Sequence, residues 1–285
     1  MRTSSGRKIR PYAAISKHLL IAGGALVMIY PLLWMLFSSF KLPENIFNDA
    51  GLWSERFTLD NYAKGWEGVA RTSFAVFMKN SFIVSGLSIV GNIFACSLAA
   101  YAFSRLEFRF KNALFAAMLV TIMLPFHVVV VPQYIIFNEL GWINTFLPLV
   151  VPKFLGTESF FIFLMVQFMR TLPRELDQAA TVDGCGKVQI YWRVVLPLTL
   201  PAIITTIIFT FIWTWNDFFS HLLYLADIRK QTITLGLRLF LDSDSVSQWG
   251  PMLAMSVVSL VPVFIVFLFF QKYLVEGITA GGVKG

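Results

Sequence analysis

The stretch Arg174-Glu175-Leu176-Asp177-Gln178-Ala179-Ala180-Thr181-Val182-Asp183-Gly184, followed by Ile190 and then Leu196-Pro197, is a polar island between two strongly apolar segments. Pro173 suits a first helical turn, where its missing N–H costs nothing. Glu175 and Asp177 then sit near the positive end of the helix dipole. Leu172, Leu176, Ala179 and Ala180 recur at three- and four-residue spacing, which gives one narrow apolar face. Gly184 fits a left-handed helix end, and a second short helix is expected over 187–196, leading to Pro197. The pattern is a helix–turn–helix lying at a membrane surface and presenting a docking face.

The rest of the chain is mostly membrane. Hydrophobic residues make up 57% and charged ones only 14%, against about a quarter charged in a soluble domain. The net charge of +7 does not imply nucleic acid, because basic residues of membrane proteins gather in cytoplasmic loops. Cys96 and Cys185 follow no disulfide or metal-ligand spacing, and three scattered histidines give no metal site.

Spanning helices need roughly 20 mostly apolar residues. Six such runs are read at 19–40, 81–104, 112–132, 147–169, 201–220 and 250–271, which makes the fold an all-α polytopic membrane protein. An N-tail of 1–18, loops 41–80 and 221–249, a polar segment 171–197 and a C-tail of 272–285 complete the layout, with a core domain over 81–271. Pro125 and Pro132 mark a kink and an exit in the third run, and Lys153 and Glu158 interrupt the fourth. The first run is too long for a signal peptide, and Ser38-Ser39-Phe40-Lys41 is a poor cleavage site, so an uncleaved helix is expected.

Orientation follows from Lys and Arg. Arg2, Arg7, Lys8, Arg10 and Lys17 crowd the N-tail, Arg105, Arg109 and Lys111 follow the second run, and Arg170, Arg174, Lys187 and Arg193 flank the polar island. Basic residues are fewer on the other side, where Glu44, Asp49, Glu55, Asp60 and Glu67 balance them. Both termini and the polar island are therefore expected on the cytoplasmic side.

The polar island resembles the cytoplasmic loop of binding-protein-dependent ABC import permeases, whose pattern is Glu-Ala-Ala, three residues, Gly, then Ile-x-Leu-Pro further on. Ala179-Ala180, Gly184 and Leu196-Pro197 match it, whereas Gln178 stands where the pattern has an acid. The resemblance implies a coupling helix that docks on an ATPase subunit through Glu175, Asp177, Gln178, Ala179, Ala180, Asp183 and Gly184. Glu175 or Asp177 would compensate for the lost acid, or the contact is a neutral hydrogen bond.

The C-terminal Glu276-Gly277-Ile278-Thr279-Ala280-Gly281-Gly282-Val283-Lys284-Gly285 is similar to the tail of the carbohydrate-importing branch, the maltose-permease G-subunit type. Trp215-Asn216-Asp217 and Tyr101-Ala102-Phe103-Ser104-Arg105-Leu106-Glu107-Phe108 also look like that branch. The resemblance implies the fold of a type I ABC importer permease in a bacterial inner membrane. It further implies a second permease, a dimer of ATPase subunits holding ATP and Mg, an extracytoplasmic solute-binding protein and a sugar, with no cofactor in this chain. The tail, through Thr279, Gly281 and Lys284, would reach the ATPase pair, and loop 221–249 would touch the binding protein.

Other residues have two readings each. Lys153 and Glu158 either line the substrate pathway, as intramembrane charges tend to, or snorkel outward and meet the partner permease; their spacing of five puts them on different helix faces. Asn216 and Asp217 either meet sugar hydroxyls or cap a helix end. His127 either lines the cavity or satisfies carbonyls freed by Pro125, and the latter is preferred. His18 and His221 receive no role, and the tryptophans read as membrane belts or lipid-facing surface.

Asp183-Gly184-Cys185-Gly186-Lys187 is not a P-loop, because Thr181 stands for the leading Gly and Val188 for the Ser or Thr. Nucleotide hydrolysis therefore falls to a partner. A secondary carrier driven by an ion gradient, with Glu158 as its ion site, is the competing reading, but no internal duplication supports it. No nucleophile–base cluster supports an enzyme.

Overall fold

The computed structural model describes residues 11–49, 51–241 and 248–282. Among these, every extended element is a helix: α1 (Pro11–Ser38), α2 (Phe74–Arg105), α3 (Lys111–Ile122), α4 (Phe126–Glu139), α5 (Leu147–Phe154), α6 (Ser159–Thr171), α7 (Glu175–Val182), α8 (Lys187–Leu198), α9 (Leu200–Asn216), α10 (Phe219–Tyr224), α11 (Ile233–Leu239) and α12 (Trp249–Gly282). Short helices also lie at Asn45–Asn48 and Asp60–Glu67. The backbone falls into two compact units, residues 1–66 with 240–258, and residues 67–239 with 259–285.

Among the described residues, four stretches are long and apolar enough to cross a membrane: Ser16–Ser38, Phe74–Arg105, Leu147–Thr171 and Trp249–Lys272. Two bent pairs, α3 with α4 at 101° and α8 with α9 at 74°, bring the number to six when each pair counts as one span. The first bend falls at Pro125, which disfavours helical geometry at Leu124 and caps α4 from an extended conformation. The second falls at Thr199, just before Pro201. The third expected span, 112–132, is thus the two arms of an angle, and the short helix expected over 187–196 is an arm of the fifth span. The sixth span continues as helix through the C-tail to Gly282.

In the first unit, Lys41 is fully buried and donates to the carbonyls of Asp49 (2.7 Å) and Gly51. Asn61 donates to the carbonyls of Ser39 and Lys41 at 2.9 and 2.8 Å. A buried ammonium is tolerated here because carbonyls replace its water. The segment after α1 is thereby folded onto itself.

The second unit is organised on α2, which packs against α5, α6 and α9. Its 32 residues extend about 48 Å at 1.5 Å per residue, more than the roughly 30 Å hydrocarbon layer. The surplus is at the start: Asn80 donates to the carbonyls of Arg229 (3.0 Å) and Gln231 (2.8 Å), and Ser81 Oγ accepts from the Ile233 amide. Within the bundle, Asn92 donates to Thr210 Oγ1 at 3.0 Å, an interhelical bond of about 0.6–2 kcal/mol in a membrane. Gly91 lets α5 approach, since a β-carbon there would lie 2.7 Å from Phe154 Cδ2. Trp215, assigned to a membrane surface by its sequence position, is 2% exposed and donates through Nε1 to the Ser259 carbonyl.

Candidate functional site

The polar island forms α7, a short turn and α8. Arg174 takes the cap position, Pro173 lies just before it, and Glu175 and Asp177 occupy the first turn. The turn needs a left-handed residue, and Gly184 supplies it at φ +85°. Ala180, Ile190, Tyr191 and Val195 are buried in one apolar cluster with Cys96, Ala100, Tyr101, Met165 and Met169. Residues 191–195 are wound as a π-helix, a local widening found often at functional sites.

The last turn of α2 fastens this segment. Arg105 donates through Nη2 to the Leu172 carbonyl at 2.9 Å and pairs through Nη1 with Asp177 Oδ2 at 3.3 Å. Tyr101 Oη donates to the Lys187 carbonyl (2.9 Å), and Tyr191 Oη meets Ser97 Oγ at 2.7 Å. Asp177 is therefore engaged by Arg105 within the chain through Oδ2. Glu175, Gln178, Ala179 and Val182, at i, i+3, i+4 and i+7, are all exposed, Val182 at 87%. These positions form one stripe of the helix surface. Asp183 and Gly184 continue the exposure. The apolar face expected from Leu172, Leu176, Ala179 and Ala180 is divided: Ala180 is buried, Leu172 is partly covered, and Ala179 and Leu176 face outward.

At the other end of α6 and α9 lies a cavity of about 240 Å³. Its lining includes Gln133, Lys153, Thr157, Glu158, Trp213, Asp217, His221 and Tyr224. The fourth span is broken here: α5 ends at Phe154, Gly156 is left-handed at φ +69°, and α6 begins after Glu158. Broken backbone at membrane depth is tolerated where it lines a cavity. The break also changes the relation of Lys153 and Glu158. On one continuous helix they would face apart, but here the ammonium and carboxylate form an ion pair across the break. Thr157 Oγ1 donates to the Pro152 carbonyl at 2.9 Å and so satisfies part of the opened backbone.

Asp217 ends α9 and accepts the Ser220 amide at 3.0 Å, so it caps α10 while lining the cavity. Both sequence readings of Asp217 are thus compatible. Asn216 turns away, donating to the Ile212 carbonyl of its own helix at 2.8 Å. His127 is exposed and outside the lining; its ring stacks on Phe219 at 5.7 Å and 14°.

Sequence reasoning gave His221 no role, yet it is 1% exposed and lines the cavity. Its Nδ1 is 2.7 Å from Thr232 Oγ1. Burial pushes its pKa down to about 4, opposed by the Asp217 carboxylate and reinforced by the Lys153 ammonium. The sequence also did not single out Arg105 and Tyr224 as site residues; the first pairs with Asp177 and the second lines the cavity. Thr279 and Gly281 fall in the last turns of α12, and Lys284 lies outside the described residues.

Residues 91–279 match the family described as binding-protein-dependent transport system inner membrane component. The chain is 33% identical over 275 residues to the trehalose/maltose transport system permease protein MalG of Thermococcus litoralis, covering 95% of this chain and 98% of that one. It is 34% identical over 261 residues to the probable ABC transporter permease protein YurM of Bacillus subtilis, covering 91% and 85%. The fold superposes with a TM-score of 0.81 at 22% identity, over 95% of this chain, on a chain from the crystal structure of a bacterial ABC transporter involved in the import of the acidic polysaccharide alginate. The match covers 99% of that neighbour's length. With a polar surface segment at one end of its bundle and a polar cavity at the other, this chain belongs to the binding-protein-dependent transport system inner membrane component family, as a permease subunit.

Proposed function

We propose that this chain forms half of the translocation pore of an ATP-driven importer of sugars, paired with a second permease. Its α7 docks on one subunit of an ATPase dimer through the exposed stripe Glu175, Gln178, Ala179 and Val182, with Asp183 and Gly184 at the turn. ATP and Mg are held by that dimer. An extracytoplasmic solute-binding protein delivers the sugar to the opposite face, where residues 221–239 are fastened to α2. Both termini and α7 lie in the cytoplasm, and Thr279, Gly281 and Lys284 approach the ATPase pair. The 33% identity to a trehalose/maltose permease over nearly both lengths supports a sugar as cargo.

The observation that carries the mechanism is the reach of α2. Its last turns hold the α7 segment through Tyr101 and Arg105. Its middle packs on the broken span at Gly91, opposite Phe154, next to Lys153. Movement imposed on α7 therefore reaches the break between α5 and α6 along one rigid helix. The chain performs no chemistry on the sugar; it exposes polar contacts to one side and then the other.

The test is ATPase activity of the complex purified through this chain, with its genomic neighbours co-expressed. Activity stimulated by one solute-binding protein with its sugar is the expected result. Purification of the chain alone, with sugar uptake driven by an ion gradient, would overturn the reading and make Glu158 the ion site.

A further inference from the structure

Where α2 and α6 end and α3 begins, a second cavity of about 280 Å³ opens beside the entry to α7. Arg105, Lys111, Arg170 and Arg174 line it, together with the carboxylate of Glu107. Two of these cations are already matched: Arg105 pairs with Asp177, and Lys111 with Glu107 at 3.0 Å. Arg170 and Arg174 form no ion pair among the described residues, and both are exposed. Arg174 makes one long hydrogen bond, from Nη2 to the Ser104 carbonyl at 3.4 Å. The Arg170 guanidinium lies 5.1 Å from the centre of the Phe115 ring. Each guanidinium carries five N–H donors, so both keep donors for an acceptor from outside, and their planar forks match phosphate oxygens.

The surroundings say which kind of phosphate. α3 has no buried residue, and Phe108, Phe110 and Leu114 stand exposed around its start. Arg109 lies over the Phe110 ring at 4.8 Å, so a cation and an aromatic ring share one exposed corner. A free anion, or the polar face of another protein, would leave this apolar strip uncovered. A phospholipid covers both parts at once, with its phosphate in the cavity and an acyl chain along α3. Basic pockets between spanning helices on the cytoplasmic side bind anionic headgroups in this way. A zwitterionic headgroup would bring an ammonium toward Arg170 and Arg174, whereas an anionic one brings none.

We propose that this cavity holds the phosphate of one anionic phospholipid, gripped by Arg170 and Arg174, with its acyl chains on the open face of α3. The orientation argued above, with α7 in the cytoplasm, names the leaflet as the inner one; the binding itself does not depend on it. A lipid seated here lies beside the Arg105–Asp177 pair and so at the root of α7.

The experiment is native mass spectrometry of the complex purified through this chain and delipidated in detergent, titrated with phosphatidylglycerol or with phosphatidylcholine. Phosphatidylglycerol binds in preference. Arg170→Gln and Arg174→Gln each weaken one bound phosphatidylglycerol roughly fivefold, and together roughly twenty-five-fold, which is about 1 kcal/mol per arginine at 1.4 kcal/mol per tenfold. The single variants keep the test in force if the double variant does not assemble. Arg193→Gln removes an exposed arginine outside the cavity and leaves the affinity unchanged. An excess of inorganic phosphate does not displace the lipid. The proposal fails if the arginine variants bind phosphatidylglycerol like the parent, or if Arg193→Gln weakens it equally, which would make the effect one of net charge. It fails also if inorganic phosphate displaces the lipid, which would make this a site for a free anion. Loss of the ATPase subunits from the arginine variants, with phosphatidylglycerol binding intact, would assign the cavity to a protein contact and overturn it as well.

Discussion

Arg105 Nη1 and Asp177 Oδ2 lie 3.3 Å apart, joining the last turn of α2 to the first turn of α7, with the two side chains 4% and 23% exposed. Removing one member of a buried pair leaves the other uncompensated, at up to about 3 kcal/mol. Arg105→Gln is therefore expected to assemble and to lose sugar uptake at least tenfold, while ATPase activity becomes independent of the binding protein. Arg105→Gln with Asp177→Asn should be milder than Arg105→Gln alone. Uptake and ATPase activity that fall in proportion would assign the pair a purely structural role.

Gly184 is exposed at φ +85°, and a β-carbon there meets nothing within 4 Å. Gly184→Ala costs this chain only the backbone strain, about 1 kcal/mol. Gly184→Asp adds bulk and charge outside the chain. Both variants should insert normally, and the docking proposed for α7 predicts that Gly184→Asp abolishes coupled uptake. Normal uptake by Gly184→Asp would count heavily against docking at α7.

Gly91 is different, since its missing β-carbon is required inside the chain. Gly91→Val would press on Phe154 and on the Lys153 backbone, and overpacking of this kind costs about 1–3 kcal/mol. The expected outcome is a lower thermal midpoint of the detergent-solubilised complex. Phe154→Ala in the same background should restore part of it. A midpoint equal to that of the parent would mean that α2 and α5 separate at no cost.

His221 predicts an acid limit. The unfolded chain takes up its imidazole proton as pH falls through 6.5, the folded chain only near 4. Between these values the unfolded state binds more protons, so stability falls with falling pH, by at most about 1.4 kcal/mol per unit. His221→Gln should flatten the loss between pH 6.5 and 5 in thermal unfolding. An unchanged slope would place the responsible group elsewhere.

The spans were legible because a helix in lipid must be apolar over its whole length, and Ser81 to Phe103 or Leu19 to Phe40 satisfies that without reference to any other residue. Pro125 announced a break but not its 101°, because the angle depends on what the two arms pack against. Lys153 and Glu158 were legible as an interruption and not as a pair. Their pairing follows from Gly156, whose left-handed backbone turns the chain between them.

By itself, the sequence determined an all-α chain of apolar spans, a polar helix–turn–helix with its turn at Gly184, and the family those motifs resemble. These are local properties, set by periodicity, by turn chemistry and by the avoidance of charge in lipid. The tertiary structure alone decided that Asp177 is held by Arg105, 72 positions earlier, and that Trp215 faces the bundle. It also decided that Asp217, His221 and Tyr224 share one cavity with Lys153 and Glu158. Those relations depend on which helices meet and at what angle, and packing fixes that through residues as small as Gly91.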